Sequence, residues 1–266
     1  MKPKRLFDGE SLRAELFNGS AQRLFVSFRQ RVGDPGSFSD ATPVRNFTGH
    51  GFAHLYLQSK RNDWYINSET EALESVLGAH CTRYSDAVAM GFSMGGYAAL
   101  RFARVLGLSN VVLVSPQVSI HPKVVPWDRR YRDCAGGFDR TLGDLAIHGA
   151  VGLRGLMLFD PFRPKDRRNS DAISDLFPGI QPCRLAGGGH PATQILRAAD
   201  GFKVLQSGLR DGELVRRDIL DLHREARAGE ATYWRRLAKV AERHNKPILA
   251  KEASARAVAS NPLSKG

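Results

Sequence analysis

Short, nearly uninterrupted apolar runs alternate along this chain with stretches in which apolar residues recur every three or four positions. The runs at 23–28 (RLFVSF), 53–59 (AHLYLQS), 87–92 (AVAMGF), 110–115 (NVVLVS) and 156–160 (LMLFD) are predicted strands, and 182–186 is a short sixth. Between them, 68–81 carries Ala72, Leu73, Val76 and Leu77 at helical spacing, and 96–106 (GYAALRFARVL) carries an apolar stripe. A further helix is predicted over 191–199, with Pro191 in the first turn, where its missing N–H costs nothing. Strands that are apolar on both sides and separated by helices predict an α/β fold with a mostly parallel central sheet covered on both faces. Such sheets place their reactive loops at the carboxyl ends of the strands.

Two regions break the alternation. Residues 117–154 are rich in arginine, contain Trp127 and Tyr131, and are too long for a plain crossover, so a cap over a cleft is expected there. Residues 201–266 are helical in pattern, with Leu214, Ile219, Leu220 and Leu222 in one stretch and Trp234, Leu237, Val240 and Ala241 in the next; 258–266 read as a frayed end. The expected organisation is a catalytic domain over 1–205, with the cap at 117–154, and a helical C-terminal extension over 206–266 packed on or beside the core.

Composition refines this picture. Hydrophobic residues make up 42% of the 266, which is ordinary for a globular chain. Thirty-nine Lys and Arg against 27 Asp and Glu give a formal charge of +12. That balance favours anionic partners, but no nucleic-acid motif accompanies it, and the plain reading is a solvated basic surface. Cys81, Cys134 and Cys183 are far apart and form no Cys-x-x-Cys pair, which fits free thiols in a reducing compartment. The first residues contain no apolar stretch and no run of about 18 apolar residues occurs, so the expectation is a cytoplasmic protein without integral membrane association. His50, His54, His121 and His148 lack partners at metal-ligand spacing, and Gly187-Gly188-Gly189 is not a dinucleotide fingerprint. No metal and no cofactor are expected.

Gly91-Phe92-Ser93-Met94-Gly95 matches Gly-x-Ser-x-Gly, directly after an apolar strand and directly before an apolar-striped helix. In that setting the chain reverses within about one residue. The serine hydroxyl is left exposed, and the flanking glycines let strand and helix pass closely. Ser93 is therefore the candidate nucleophile, and the Met94 N–H, at the helix N-terminus, is the candidate oxyanion donor. A serine needs a base, and the base an orienting acid, in the chain order nucleophile, acid, base. His190 follows the last predicted strand and precedes a helix, whereas His223 and His244 sit in charged helical stretches. Asp160 closes LMLFD and is the expected acid, ahead of Asp166 and Asp171 in the polar stretch that follows. The second oxyanion donor is expected after the RLFVSF strand, at Arg29 or Gln30.

With these residues in place, the chain resembles the α/β-hydrolase superfamily of serine esterases, lipases and thioesterases. The resemblance covers roughly 23–199 and rests on the GFSMGG elbow, Asp160 and His190. It implies an eight-stranded, mostly parallel sheet, with the early strands within 6–18, and acyl transfer to water or another acceptor. Within the superfamily it looks closest to small bacterial proteins with a Gly-x-Ser-Met-Gly-Gly-Tyr-Ala-Ala-Leu elbow, here 91–100, and a Val-Leu-x-x-Ser-Pro-Gln strand end, here 112–117. Such proteins are linked to surface polysaccharide or glycan metabolism.

Trp64 and Tyr65, after the AHLYLQS strand, are candidates to line a substrate cleft, although such aromatics more often pin a loop to a core. Arg163 opens a basic stretch, 163–168, after the expected acid, and Arg129, Arg130 and Arg132 lie in the expected cap. If both clusters face one cleft, the small-molecule acyl substrate is anionic. The leading expectation is a serine hydrolase cleaving an acyl ester or thioester through acyl-Ser93. The alternatives are an acyltransferase in surface polysaccharide metabolism and a catalytically silent module that binds a glycan or a partner protein. Nucleic-acid binding is not expected, and nothing in the chain specifies an oligomeric state.

Overall fold

The computed structural model describes residues 2–198 and 200–260. The end of the helix expected at Ala199 and most of the frayed tail, 261–266, lie outside the described residues. Eight strands form one sheet: β1 (Lys4–Asp8), β2 (Leu12–Phe17), β3 (Arg23–Phe28), β4 (Phe52–Ser59), β5 (Asp86–Phe92), β6 (Asn110–Val114), β7 (Arg154–Phe159) and β8 (Ile180–Arg184). Their order is β1-β2-β4-β3-β5-β6-β7-β8, with β1 and β2 antiparallel to their neighbours and the rest parallel. The parallel strands are legible as apolar runs because both of their faces are covered. In β5, Ala87 and Ala89 face one core while Val88 and Met90 face the other; in β6, Val111 and Leu113 oppose Val112 and Val114 in the same way. The edge strand β1 is exposed or half-buried throughout, so its polarity carries little signal.

The helices among the described residues are α1 (Arg45–Thr48), α2 (Thr70–Cys81), α3 (Met94–Arg101), α4 (Leu145–His148), α5 (Pro164–Leu176), α6 (Gln194–Ala198), α7 (Gly201–Asp211), α8 (Arg216–Ala228), α9 (Ala231–Arg243) and α10 (Pro247–Ala259). α2, α3 and α5 cover one face of the sheet through residues such as Leu73, Leu77, Ala98 and Ile173. Leu196, Leu205, Leu209 and Ile219 from α6, α7 and α8 cover the other. The division expected at 205/206 thus falls inside α7, and both Leu205 and Leu209 belong to the core. Helices α9 and α10 pack on each other as a hairpin beside the loop that follows β8.

Residues 117–153 contain one 3-10 turn, Arg132–Cys134, and α4, and otherwise run as turns and irregular chain into β7. The segment is fastened to the sheet's first face by Val118, Ile120, Val125, Phe138 and Leu145. The Tyr97 hydroxyl donates to the Gly143 carbonyl at 2.7 Å and Arg101 Nε to the Leu142 carbonyl at 2.6 Å, tying it to α3.

Candidate active site

Strand β5 ends at Phe92 and α3 begins at Met94, so Ser93 alone makes the reversal, with φ 49° and ψ −117°. A non-glycine residue holds such a conformation only where its surroundings over-determine it. A Cβ at Gly91 would strike the Gly95 carbonyl, and one at Gly95 would lie 3.0 Å from both the Cβ and the carbonyl oxygen of Phe28. Both glycines are therefore demanded by close approach.

The loop after β8 carries His190 back over this turn. Its Nε2 lies 3.1 Å from Ser93 Oγ, and its Nδ1 lies 2.9 Å from Asp166 Oδ2. The carboxylate behind the imidazole is thus Asp166, which corrects the expectation of Asp160. Asp160 sits just past β7, and its oxygens accept the N–H groups of Phe162, Gly187 and Gly189, each at 2.9 Å. It builds the loop that presents His190 without touching the ring. The chain then turns through Pro161 to Arg163 and starts α5 at Pro164, placing Asp166 in the first helical turn, where the helix N-terminus favours a negative charge.

The two carboxyls differ electrostatically. Burial pushes the Asp160 carboxyl up, and its backbone donors and Arg236 offset this only in part. Burial also opposes ionisation of Asp166, but hydrogen bonds and charge from His190 and Arg130 outweigh it and hold the carboxyl below its usual range. Arg130 Nη1 lies 2.5 Å from Asp166 Oδ1, and Nη2 lies 2.6 Å from Asp128 Oδ2. Asp128 in turn accepts from Asn169 Nδ2 at 3.2 Å, so the 117–154 segment is locked to α5 behind the carboxylate.

Around the serine, Gln117 Oε1 lies 3.4 Å from Ser93 Oγ and accepts from Trp64 Nε1 at 3.2 Å. Tyr131 stacks at a tilt on Trp64, 4.7 Å between centroids. Trp64 and Tyr65, the candidates either to line a cleft or to pin a loop to the core, are wholly buried. Both have positive φ, 55° and 62°, and Tyr65 donates its hydroxyl to the Arg29 carbonyl at 2.9 Å. Their polar ends are spent on hydrogen bonds inside the protein.

Arg29 is also corrected as an oxyanion donor. Its N–H continues the sheet ladder to the Leu57 carbonyl at 2.9 Å, and its guanidinium turns to the Ser37 carbonyl at 2.5 Å. Gln30 is the next residue on that loop, and Met94 is the first helical residue of α3, whose N–H has no intrahelical acceptor. Arg163 is half-exposed, with Nε 3.4 Å from Asp166 Oδ2. The two arginine clusters do converge: Arg130 and Arg163 meet on one carboxylate, while Arg168 lies over Trp127 at 4.7 Å.

Reading along the chain overlooks Gln117, Arg130 and Tyr131 as parts of this site. Gln117 ends the Ser-Pro-Gln strand terminus and Arg130 belongs to a noted cluster, but no spacing ties either to Ser93. Among the described residues, no group of three or more His, Cys, Asp or Glu is arranged to hold a metal ion. No helix among them is long and apolar enough to cross a membrane.

No protein-family model matches the sequence, and no curated protein matches it. Among solved structures, the fold is similar to that of the capsule O-acetyltransferase of Neisseria meningitidis serogroup A. In a mutant form in complex with CoA the identity is 14%, covering 77% of this chain and 94% of that one, with a TM-score of 0.55. Another structure of the same enzyme gives 13% identity, 75% and 93% coverage and a TM-score of 0.53. An esterase domain from a Rhodothermus marinus protein is 17% identical over 82% of this chain and 99% of that one, with a TM-score of 0.48. The sheet order, the serine turn after β5, the histidine loop after β8 and the likeness in overall shape lead to one conclusion: the chain has the α/β-hydrolase fold.

Proposed function

We propose that this chain is a serine hydrolase acting on an acyl ester or thioester, with Ser93 as nucleophile, His190 as general base and Asp166 as the orienting carboxylate. The observation that carries the reading is the continuous relay Ser93 Oγ, His190 Nε2, His190 Nδ1, Asp166 Oδ2, at 3.1 and 2.9 Å. As Ser93 Oγ attacks the acyl carbon, His190 Nε2 takes its proton, and ionised Asp166 stabilises the imidazolium through Nδ1–H. The oxyanion is received by the Met94 N–H at the start of α3 and by the Gln30 N–H. His190 returns the proton to the leaving oxygen or sulfur, leaving acyl-Ser93, and then deprotonates the incoming acceptor.

Water as that acceptor makes the protein a hydrolase; a hydroxyl makes it an acyltransferase. The likeness to an O-acetyltransferase keeps the second reading in view. A fluorophosphonate probe tests the core claim: the wild type should be labelled and Ser93→Ala should not. His190→Ala should lose orders of magnitude in turnover of 4-nitrophenyl acetate while keeping its fold. An unlabelled wild type would instead favour the silent binding module. Adding alcohol acceptors to the reaction separates hydrolysis from transfer by the acylated product formed.

A further inference from the structure

Beyond the relay, a cavity of about 190 Å³ opens between the turn after β7 and helix α9. Arg163 enters it from the turn, and Arg236, Lys239 and Arg243 enter it from one face of α9 at i, i+3, i+7 spacing. Against these four cations the lining offers one carboxylate, Asp160, whose oxygens are already taken by three backbone N–H groups. Among the described residues, neither Lys239 nor Arg243 has an ion-pair partner. Arg236 spends one nitrogen on the Gly187 carbonyl and one on Gln194 Oε1, both at 2.6 Å, and keeps its remaining N–H groups. Its burial lowers its affinity for a proton, and Arg163 and Arg235 close by lower it further, against the opposing charge of Asp160.

We infer that this cavity binds a phosphate group. Like charges held together around a concave surface concentrate an anion, and guanidinium forks match the oxygens of phosphate. The cavity is roughly six times the volume a water molecule occupies in the liquid, room for a phosphate with a few waters. One of its side chains reaches the relay's carboxylate, because Arg163 Nε lies 3.4 Å from the Asp166 oxygen that faces His190. A phosphate bound to Arg163 there is one side chain removed from Asp166. The phosphate is either part of the acyl substrate, which rests on the function proposed above, or free in solution.

Calorimetric titration of the full chain with inorganic phosphate tests the site without turnover, so an inert Ser93 would leave the result intact. The wild type should bind saturably, and Lys239→Gln/Arg243→Gln, at two exposed positions, should bind at least about tenfold more weakly. The double variant should hydrolyse neutral 4-nitrophenyl acetate as the wild type does. If the phosphate belongs to the substrate, wild-type kcat/KM should be higher for 1-O-acetylglycerol 3-phosphate than for 1-O-acetylglycerol, and the variant should lose that preference. Phosphate binding without such a preference assigns the site to free phosphate. No binding by the wild type, or equal binding by the double variant, overturns the inference.

Discussion

Asp160 and Asp166 differ in what surrounds their oxygens, and that difference separates scaffolding from chemistry. Asp166→Asn should lower kcat by about 10³- to 10⁴-fold with little change in KM, because the amide no longer stabilises the imidazolium or fixes its tautomer. Asp160→Asn should chiefly lower the melting temperature, since one amide oxygen replaces two carboxylate oxygens that together accept three N–H groups. The reverse ranking in kcat would return the acid role to Asp160. Arg130 offers a second test. Removing it as Arg130→Met strands the Asp128 and Asp166 carboxylates, both largely buried, at a cost of about 3–5 kcal/mol in stability. Both carboxyls are held below their ordinary pKa of 3.8 despite burial, chiefly by hydrogen bonds to Arg130 and His190. Their contribution is therefore complete above pH 3.8 and lost as pH falls through the lowered folded values. The gap in urea midpoint between wild type and variant should be wide at neutral pH and close in acid.

At the scale of elements, the α9–α10 hairpin does more than cover surface. Tyr233 of α9 packs against Gly187, where a Cβ would run into its ring, and Arg236 reaches the Gly187 carbonyl and Gln194. Gln194 Nε2 in turn donates to the His190 carbonyl at 3.2 Å. The hairpin thus braces the loop that carries the proposed base, which makes Arg236 a positioning residue. Arg236→Met should lower kcat with KM nearly unchanged and with an unaltered circular dichroism spectrum, and Arg236→Lys should recover part of the loss. A change confined to KM would point to substrate contact instead. Helices α7 and α8 behave differently: they supply Leu205, Leu209 and Ile219 to the core under β6 to β8, so a truncation that removes them should abolish folding.

Across the whole molecule, stability should depend on pH through a group far from the site. His54 in β4 is buried between Phe17 and Phe25, with Nε2 2.7 Å from Ser27 Oγ and Nδ1 accepting from the Val44 N–H at 3.3 Å. Burial pushes its pKa from 6.5 down to about 3. The unfolded chain takes up this proton near pH 6.5 and the folded chain resists it. Stability is therefore full above 6.5 and declines as pH falls toward 3. In denaturant titrations, His54→Gln should flatten this dependence between pH 7 and 4; an unchanged slope would mean that other groups set it.

How much of this was legible depends on how local each cause is. The parallel strands were readable because a strand covered on both faces must be apolar along its buried length, and β5 and β6 are so after their first residues, Asp86 and Asn110. The turn at Ser93 was readable because α3 passes close to β5 at Gly91 and close to the end of β3 at Gly95, leaving little room for a side chain at either. The edge strand β1 was faint because it is exposed or half-buried throughout, and whether the helices beyond 205 pack on the core or beside it was left open because an amphipathic helix looks the same in either place. By itself, then, the sequence determined the layered architecture and the strand–serine–helix turn, both set by local burial and sterics. The tertiary structure alone decided which carboxylate faces His190 and that Arg130, Tyr131 and Gln117 join the site. Those outcomes depend on how the turn at 160–164 aims a helix and on segments remote in the chain meeting in space, which no periodicity encodes.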